Sequence, residues 1–143
     1  MAVVLAGAAG LGGAVQAAVM GELGSRVGIV PALAFAVLVS LVCALTALLV
    51  WERSFSGVRA AAHQPAWLWL GGVMSVFIVF AITVGPPRIG VTATVATVIA
   101  GNLVSAAIID RFGLFGVSRV GLAWPRILGF VLLALGAGLT LKR

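Results

Sequence analysis

The stretch IGVTATVATVIAGNLVSAAII, residues 89–109, decides the fold, and it lies between Arg88 and Asp110. Its 21 residues carry no charge and are mostly apolar. A transmembrane helix needs about 20 such residues to cross the hydrocarbon core of a bilayer. A transmembrane strand would instead alternate polar and apolar residues over about ten positions, and this run is continuous. The stretch therefore predicts a membrane-spanning helix.

Other charge-free intervals extend this pattern along the chain. Residues 1–21, 27–51 and 60–87 give intervals of 21, 25 and 28 residues, and residues 127–141 give one of 15. The last interval reaches spanning length if its helix begins near residue 123 and Arg126 extends its charged head to the headgroups. We predict an all-α polytopic membrane protein, a single transmembrane domain over residues 1–143. Its five helices are expected at about 2–20, 29–51, 65–84, 89–109 and 123–141.

Composition excludes several other classes of protein. Of 143 residues, 63% are apolar and 8% are charged, whereas a soluble domain has about 45–50% apolar and about 25% charged residues. So short a chain cannot bury this much apolar surface in an aqueous core. The net charge of +6 comes from basic residues scattered along the chain, with no cluster longer than the pair Lys142-Arg143, which indicates membrane-flanking positions rather than a nucleic-acid surface. With one cysteine and one histidine, we expect no internal disulfide, no metal site and no cofactor.

Glycine and proline mark the expected helix ends. Gly21, Gly24 and Gly28 bracket the first predicted turn, and Gly85 followed by two prolines ends the third helix, because proline cannot continue a helical hydrogen-bond ladder. The first segment could be a cleaved signal peptide, but it has no basic region before its apolar stretch. We therefore expect it to be a helix of the mature protein.

The balance of basic residues leaves the orientation open. Five spans would place five basic residues on one face of the membrane and four on the other, although Lys/Arg bias normally sets orientation. One interpretation is dual topology, in which copies insert both ways and pair antiparallel. The other is a single orientation set by a partner or by the first helix. The two sets are Arg53, Arg59, Arg111, Arg119 and Arg126 on one face, and Arg26, Arg88, Lys142 and Arg143 on the other.

The fourth predicted helix carries a polar strip. Its members recur at steps of three, four and four residues, so they share one helix face, and they are Thr94, Thr97, Gly101 and Ser105. Hydroxyls can bond to their own helix, whereas the amides of Asn102, beside the strip, and of Gln16 need partners elsewhere when placed in lipid. We expect substrate or interhelix contacts at Gln16, Asn102 and Ser105, with Thr97 and Ser75 behind them.

Carboxylates are scarce and lie near helix ends. Glu22 and Asp110 are candidate gate or coupling residues, although Glu22 with Arg26 four positions on also suggests a surface ion pair. No acid lies centrally in a span, so proton coupling has little support. Small residues on helix faces allow close approach, and we expect helix packing, within one subunit or between copies, at Gly12, Gly13, Gly101, Gly129 and Gly136.

These residues predict a transporter subunit rather than an enzyme. No P-loop, nucleophile elbow or dinucleotide-binding motif stands in a usable context. Five short helices enclose little volume, so we expect pairing with a second copy or a homologous subunit around a small-molecule substrate, working by alternating access. A non-transporting assembly subunit that needs a different partner is the main alternative. A channel would need a continuous polar pore, and a membrane enzyme is more remote.

Several segments together resemble one family. They are Pro87-Arg88-Ile89-Gly90, Gly101-Asn102-Leu103-Val104-Ser105, Ile109-Asp110-Arg111-Phe112-Gly113-Leu114-Phe115-Gly116, and Gln16 followed by Gly21-Glu22-Leu23-Gly24-Ser25-Arg26-Val27-Gly28. The chain resembles the YdcZ-type family of the drug/metabolite transporter superfamily. That resemblance implies a five-helix bacterial inner-membrane unit, half the size of the ten-helix EamA-type members, and export of small molecules.

The chain departs from this family at three positions. Asn102 stands where the family commonly has glutamine, Met20 where it often has asparagine, and Arg111 where histidine commonly follows the aspartate. The similarly dimeric small multidrug resistance proteins use a carboxylate within their first helix. The first predicted helix here has none, so their proton-exchange mechanism is not carried over.

Overall fold

A computed structural model describes residues 1–119, 121 and 124–141, with the side chain of Arg126 left out. The described chain is helical apart from short turns and loops. Its α-helices are α1 (Ala2–Val27), α2 (Ile29–Trp51), α3 (Ser56–Ala62), α4 (Leu70–Val84), α5 (Pro86–Ile89), α6 (Val91–Phe112) and α7 (Trp124–Thr140). Single 3₁₀ turns at Ala66–Trp69 and Leu114–Gly116 precede α4 and follow α6.

Four stretches of the described chain are long and apolar enough to cross a membrane: Ala2–Val27, Ile29–Trp51, Ala66–Ile89 and Val91–Phe112. The protein is therefore a helical membrane protein. Helix α7 has 17 residues, which at about 1.5 Å each is about 25 Å, short of a hydrocarbon core of about 30 Å. The fifth span remains a prediction, because residues 122–123 and 142–143 lie outside the described residues.

The first helix is longer than the sequence suggested. It runs through Gly21 and Gly24 to Val27, and Gly28, with φ +94°, ends it. Two local interactions support the added turns: Arg26 Nε donates to Glu22 Oε1 at 2.7 Å, and Ser25 Oγ donates to the Glu22 carbonyl at 2.7 Å. Gly21 and Gly24 were expected to bracket a turn, but both are buried within the helix.

The chain divides into two compact units. The first comprises residues 1–18 and 85–143, and the second comprises residues 19–84. In the second unit, α2 packs beside α4. In the first unit, α7 and the single turn α5 both pack against α6. The fourth helix, predicted at 89–109, ends at Phe112 and begins at Val91, because Gly90 with a φ of +86° separates it from α5.

Small residues fill most of the described buried positions, and most large apolar residues are exposed. The described buried residues include Ala17, Ala32, Ala93 and Ala137, together with Thr83 and Thr94. Leucine, valine and phenylalanine side chains are exposed along every long helix. This is the arrangement expected when lipid is the solvent, because helices then associate through small residues and close packing rather than by hiding large apolar ones.

Candidate substrate-binding residues

The threonines of the polar strip bond to their own helix. Thr94 Oγ1 donates to the Gly90 carbonyl at 2.7 Å, and Thr97 Oγ1 donates to the Ala93 carbonyl at 2.8 Å. Such bonds satisfy a hydroxyl donor within the membrane without any second helix. Thr94 is also buried, with 4% of its surface exposed. The two threonines therefore keep only acceptor lone pairs for a ligand.

Asn102 and Ser105 differ from the threonines. They lie about one turn apart on α6, and both side chains are exposed. Neither forms a hydrogen bond with any residue in the described part of the chain. At about 100° per residue, Asn102 lies on the opposite side of α6 from Val104 and Arg111, which line the crevice toward α7. The Asn102 amide thus faces away from α7 and is free to contact another molecule.

Gln16 is the second amide in a predicted span. It lies in the part of α1 that belongs to the first unit, and its side chain is exposed beside the fully buried Ala17. No hydrogen bond joins it to Asn102 or to another described residue. Ser75, on α4 in the second unit, is also exposed. Asn102 and Ser105 are thus the candidates that one helix turn brings together.

The two candidate gate residues have different surroundings. Glu22 lies within α1, where its ion pair with Arg26 leaves 63% of the Glu22 side chain and 72% of the Arg26 side chain exposed. A pair so exposed adds little stability. Asp110 is partly buried in the last turn of α6 and takes part in an interaction of its own. A coupling role for either residue remains a prediction.

The expected packing glycines have open space around them. A β-carbon built on any of these five glycines would meet no described atom within 4 Å. The five are Gly12, Gly13, Gly101, Gly129 and Gly136. The described part of a single chain therefore does not use them for close contact. Packing between copies remains the prediction for these positions.

Two other glycines make the close approaches. A β-carbon on Gly24 would lie 2.7 Å from Cγ2 of Thr83, and one on Gly85 would collide with the side chain of Thr94. Each threonine is buried and held by a bond to its own helix, Thr83 to the Val79 carbonyl at 2.7 Å. Sequence spacing missed both pairs, because neither partner lies on the same helix as its glycine.

The candidate substrate-binding residues offer hydrogen bonding. The described residues include no group of three His, Cys, Asp or Glu side chains that could hold a metal ion. The exposed amides and the Ser105 hydroxyl can donate and accept hydrogen bonds. Such groups can orient a small polar or amphipathic molecule within an apolar setting.

Comparisons with known proteins also indicate an inner-membrane protein. A family model described as "Putative inner membrane exporter, YdcZ" matches residues 1–139. The protein named "Inner membrane protein YdcZ" from Escherichia coli (strain K12) is 34% identical over 77 residues, which are 54% of this chain and 51% of that protein. The match thus spans about half the length of this curated relative. No solved structure matches the chain.

Proposed function

Because this chain belongs to the YdcZ family of inner-membrane proteins, we propose that it is a subunit of a transporter that exports a small metabolite or drug-like molecule. The family description supports a membrane transporter in general. We propose three further points: export of a particular class of molecule, the pairing of subunits, and alternating access.

The exposed amide of Asn102 carries the proposal. It lies near the middle of α6, a helix with the length and hydropathy of a membrane span. Placing an amide in an apolar medium without a hydrogen-bond partner costs roughly 2–7 kcal/mol. Since no described residue bonds to Asn102, the hydrogen-bond partner of its amide must come from outside the described part of this chain. A polar group on a substrate, or on a second subunit around that substrate, meets this need.

Pairing of two chains supplies the volume that one chain lacks. Five short helices would be half of a ten-helix EamA-type transporter, and the small-residue faces of α1 and α7 are open in the single chain. We propose a dimer whose midplane site uses Gln16, Asn102 and Ser105, with Thr97 and Ser75 behind them. One repeat would move against the other in alternating access, with Glu22 and Asp110 as gate or coupling residues.

Substitution of Asn102 tests this function. In everted membrane vesicles presented with a panel of fluorescent drug-like solutes that begins with ethidium, Asn102→Ala should lower uptake at least about tenfold, because a lost hydrogen bond leaves the substrate's polar group unpaired. Asn102→Gln keeps the amide and should retain most of the uptake. Thr46→Val is the matched control, because the Thr46 hydroxyl donates to the Val42 carbonyl of its own helix, at 2.8 Å, and bonds to no other described residue.

Two outcomes would count against the proposal. Equal uptake by Asn102→Ala and the parent chain would remove Asn102 from the site. Vesicles that move none of the panel, while the chain co-purifies in fixed ratio with a different membrane protein, would favour the assembly-subunit alternative.

A further inference from the structure

A polar cavity lies just beyond the end of α6, within the first unit. It has a volume of about 410 Å³ and is lined by Arg111, Phe112, Arg119 and Gly121. Arg111 belongs to the last turn of the helix, whereas Arg119 comes from the loop that follows. Two guanidinium groups from separate segments therefore share one cavity.

The loop conformation brings Arg119 to this place. Gly113, Phe115 and Gly116 all have positive φ, at +65°, +57° and +79°, so the backbone curls back after the helix. Positive φ is uncommon for a bulky residue such as phenylalanine and marks a conformation that its surroundings hold in place. A β-carbon on Gly113 would lie 2.7 Å from Cγ of Arg119. The stem of Arg119 thus occupies the space that a side chain at position 113 would fill.

The two positive charges that line this cavity favour the binding of an anion. Neither Arg111 nor Arg119 forms an ion pair with a carboxylate of any described residue. A negative group placed between two guanidinium groups is attracted to both and offsets their mutual repulsion. Arginine suits phosphate in particular, because its planar fork donates two hydrogen bonds to two oxygens of one group.

An apolar groove continues from the same cavity. Its volume is about 300 Å³, and it shares Arg111 and Phe112 with the polar cavity while its other lining residues are Val104, Ala107, Ile108 and Phe130. It therefore follows the last turns of α6 beside α7. Val104 and Ile108 are 59% and 48% exposed, so the groove is open to the surrounding lipid. The polar cavity and the apolar groove together match an amphiphile, which has a charged headgroup and an apolar tail.

We propose that Arg111 and Arg119 bind the phosphate of an anionic phospholipid whose acyl chain lies in the groove between α6 and α7. The polar cavity holds the lipid headgroup at the membrane surface, and the groove holds the first part of the acyl chain. This site lies on the side of α6 opposite Asn102, and the proposal is independent of the export function.

Lipid binding to the purified, delipidated protein tests the proposal. Isothermal titration would compare dioctanoyl-phosphatidylglycerol, dioctanoyl-phosphatidylcholine and glycerol phosphate. We expect phosphatidylglycerol to bind at least about tenfold more tightly than either of the others, because only it combines a net negative headgroup with an acyl chain. Equal affinity for the two lipids would overturn the role of the arginines. Equal affinity for glycerol phosphate would show a free-phosphate site and overturn the lipid assignment.

Variants test the contacts of the lipid headgroup and those of the acyl chain separately. Arg111→Gln combined with Arg119→Gln should abolish the preference for phosphatidylglycerol, whereas Arg59→Gln, which removes an exposed charge from α3, should leave it unchanged. Ala107→Phe fills the groove without altering charge and should weaken the lipid at least about fivefold while leaving glycerol phosphate binding unaltered. Unchanged lipid affinity in the double arginine variant or in Ala107→Phe would contradict the proposal.

Discussion

At the residue scale, single atoms decide where these helices meet. Thr83 is fully buried, and its hydroxyl is fixed by the Val79 carbonyl, so its methyl group points to the place where a β-carbon of residue 24 would stand. Glycine at position 24 is therefore a packing requirement within the second unit. The sequence showed a glycine there but suggested a turn, because the need for it comes from a threonine 59 positions away.

Gly24→Ala should destabilise the protein by about 1–3 kcal/mol, because an added methyl must push a buried side chain aside. Thermal unfolding in detergent measures this. Gly7→Ala is the matched control, since a β-carbon there meets no described atom, and it should be neutral or stabilising. Adding Thr83→Ser to Gly24→Ala removes the colliding methyl and keeps the hydroxyl, so it should restore part of the loss. An unaltered melting temperature for Gly24→Ala would contradict this close packing.

At the element scale, the helix interiors follow from the sequence and the helix ends do not. Charge-free runs located α2 and the bodies of α4 and α6, because the cost of charge in lipid confines charged residues to the ends of spans. The extension of α1 to Val27 depends on the bond between Glu22 and Arg26 and on packing at Gly24. The curl after α6 depends on the positive φ angles of Gly113, Phe115 and Gly116. No periodic pattern reports either feature, so the arginine cavity could not be predicted.

Gly90→Ala tests the joint between α5 and α6. Its φ of +86° is one that an L side chain rarely adopts, although a β-carbon there would have open space. With a ψ of +159°, this backbone conformation is essentially confined to glycine, so the expected loss of about 1–3 kcal/mol is purely conformational. Gly101→Ala lies within α6, also in open space, and should not destabilise the chain. Equal unfolding temperatures for the two variants would show that the positive φ is not needed.

At the scale of the whole molecule, the outward face of a single chain is apolar with a few exposed amides. Phe35, Leu132 and Leu135 are 59–60% exposed, as lipid contact or contact with a second copy requires. The polar candidates were predictable as residue types, because an amide in a membrane span is costly wherever it lies. The closeness of Asn102 and Ser105 was predictable from their spacing on one helix, whereas the surroundings of Gln16 were not, since it lies on another helix without bonding to either of them.

Accessibility labelling tests the near-equal charge balance. In a Cys43→Ser background, which removes the one native cysteine, a cysteine at Ala2 or Ser56 should react with an impermeant maleimide from both sides of the membrane under dual topology. Adding two arginines near Ser56 should make the labelling one-sided, because the excess of basic residues then sets orientation. One-sided labelling of the parent chain would support a single orientation instead.

The central claim is that the working unit is a pair of chains. Single-molecule photobleaching of fluorophore-labelled protein, reconstituted at high lipid-to-protein ratio, counts the copies in each particle directly. The account predicts two bleaching steps in most particles, with a shift toward one step for Gly12→Leu, which places a bulky side chain on an open face of α1. Particles of the parent chain that bleach in one step, while its vesicles still carry out transport, would contradict it.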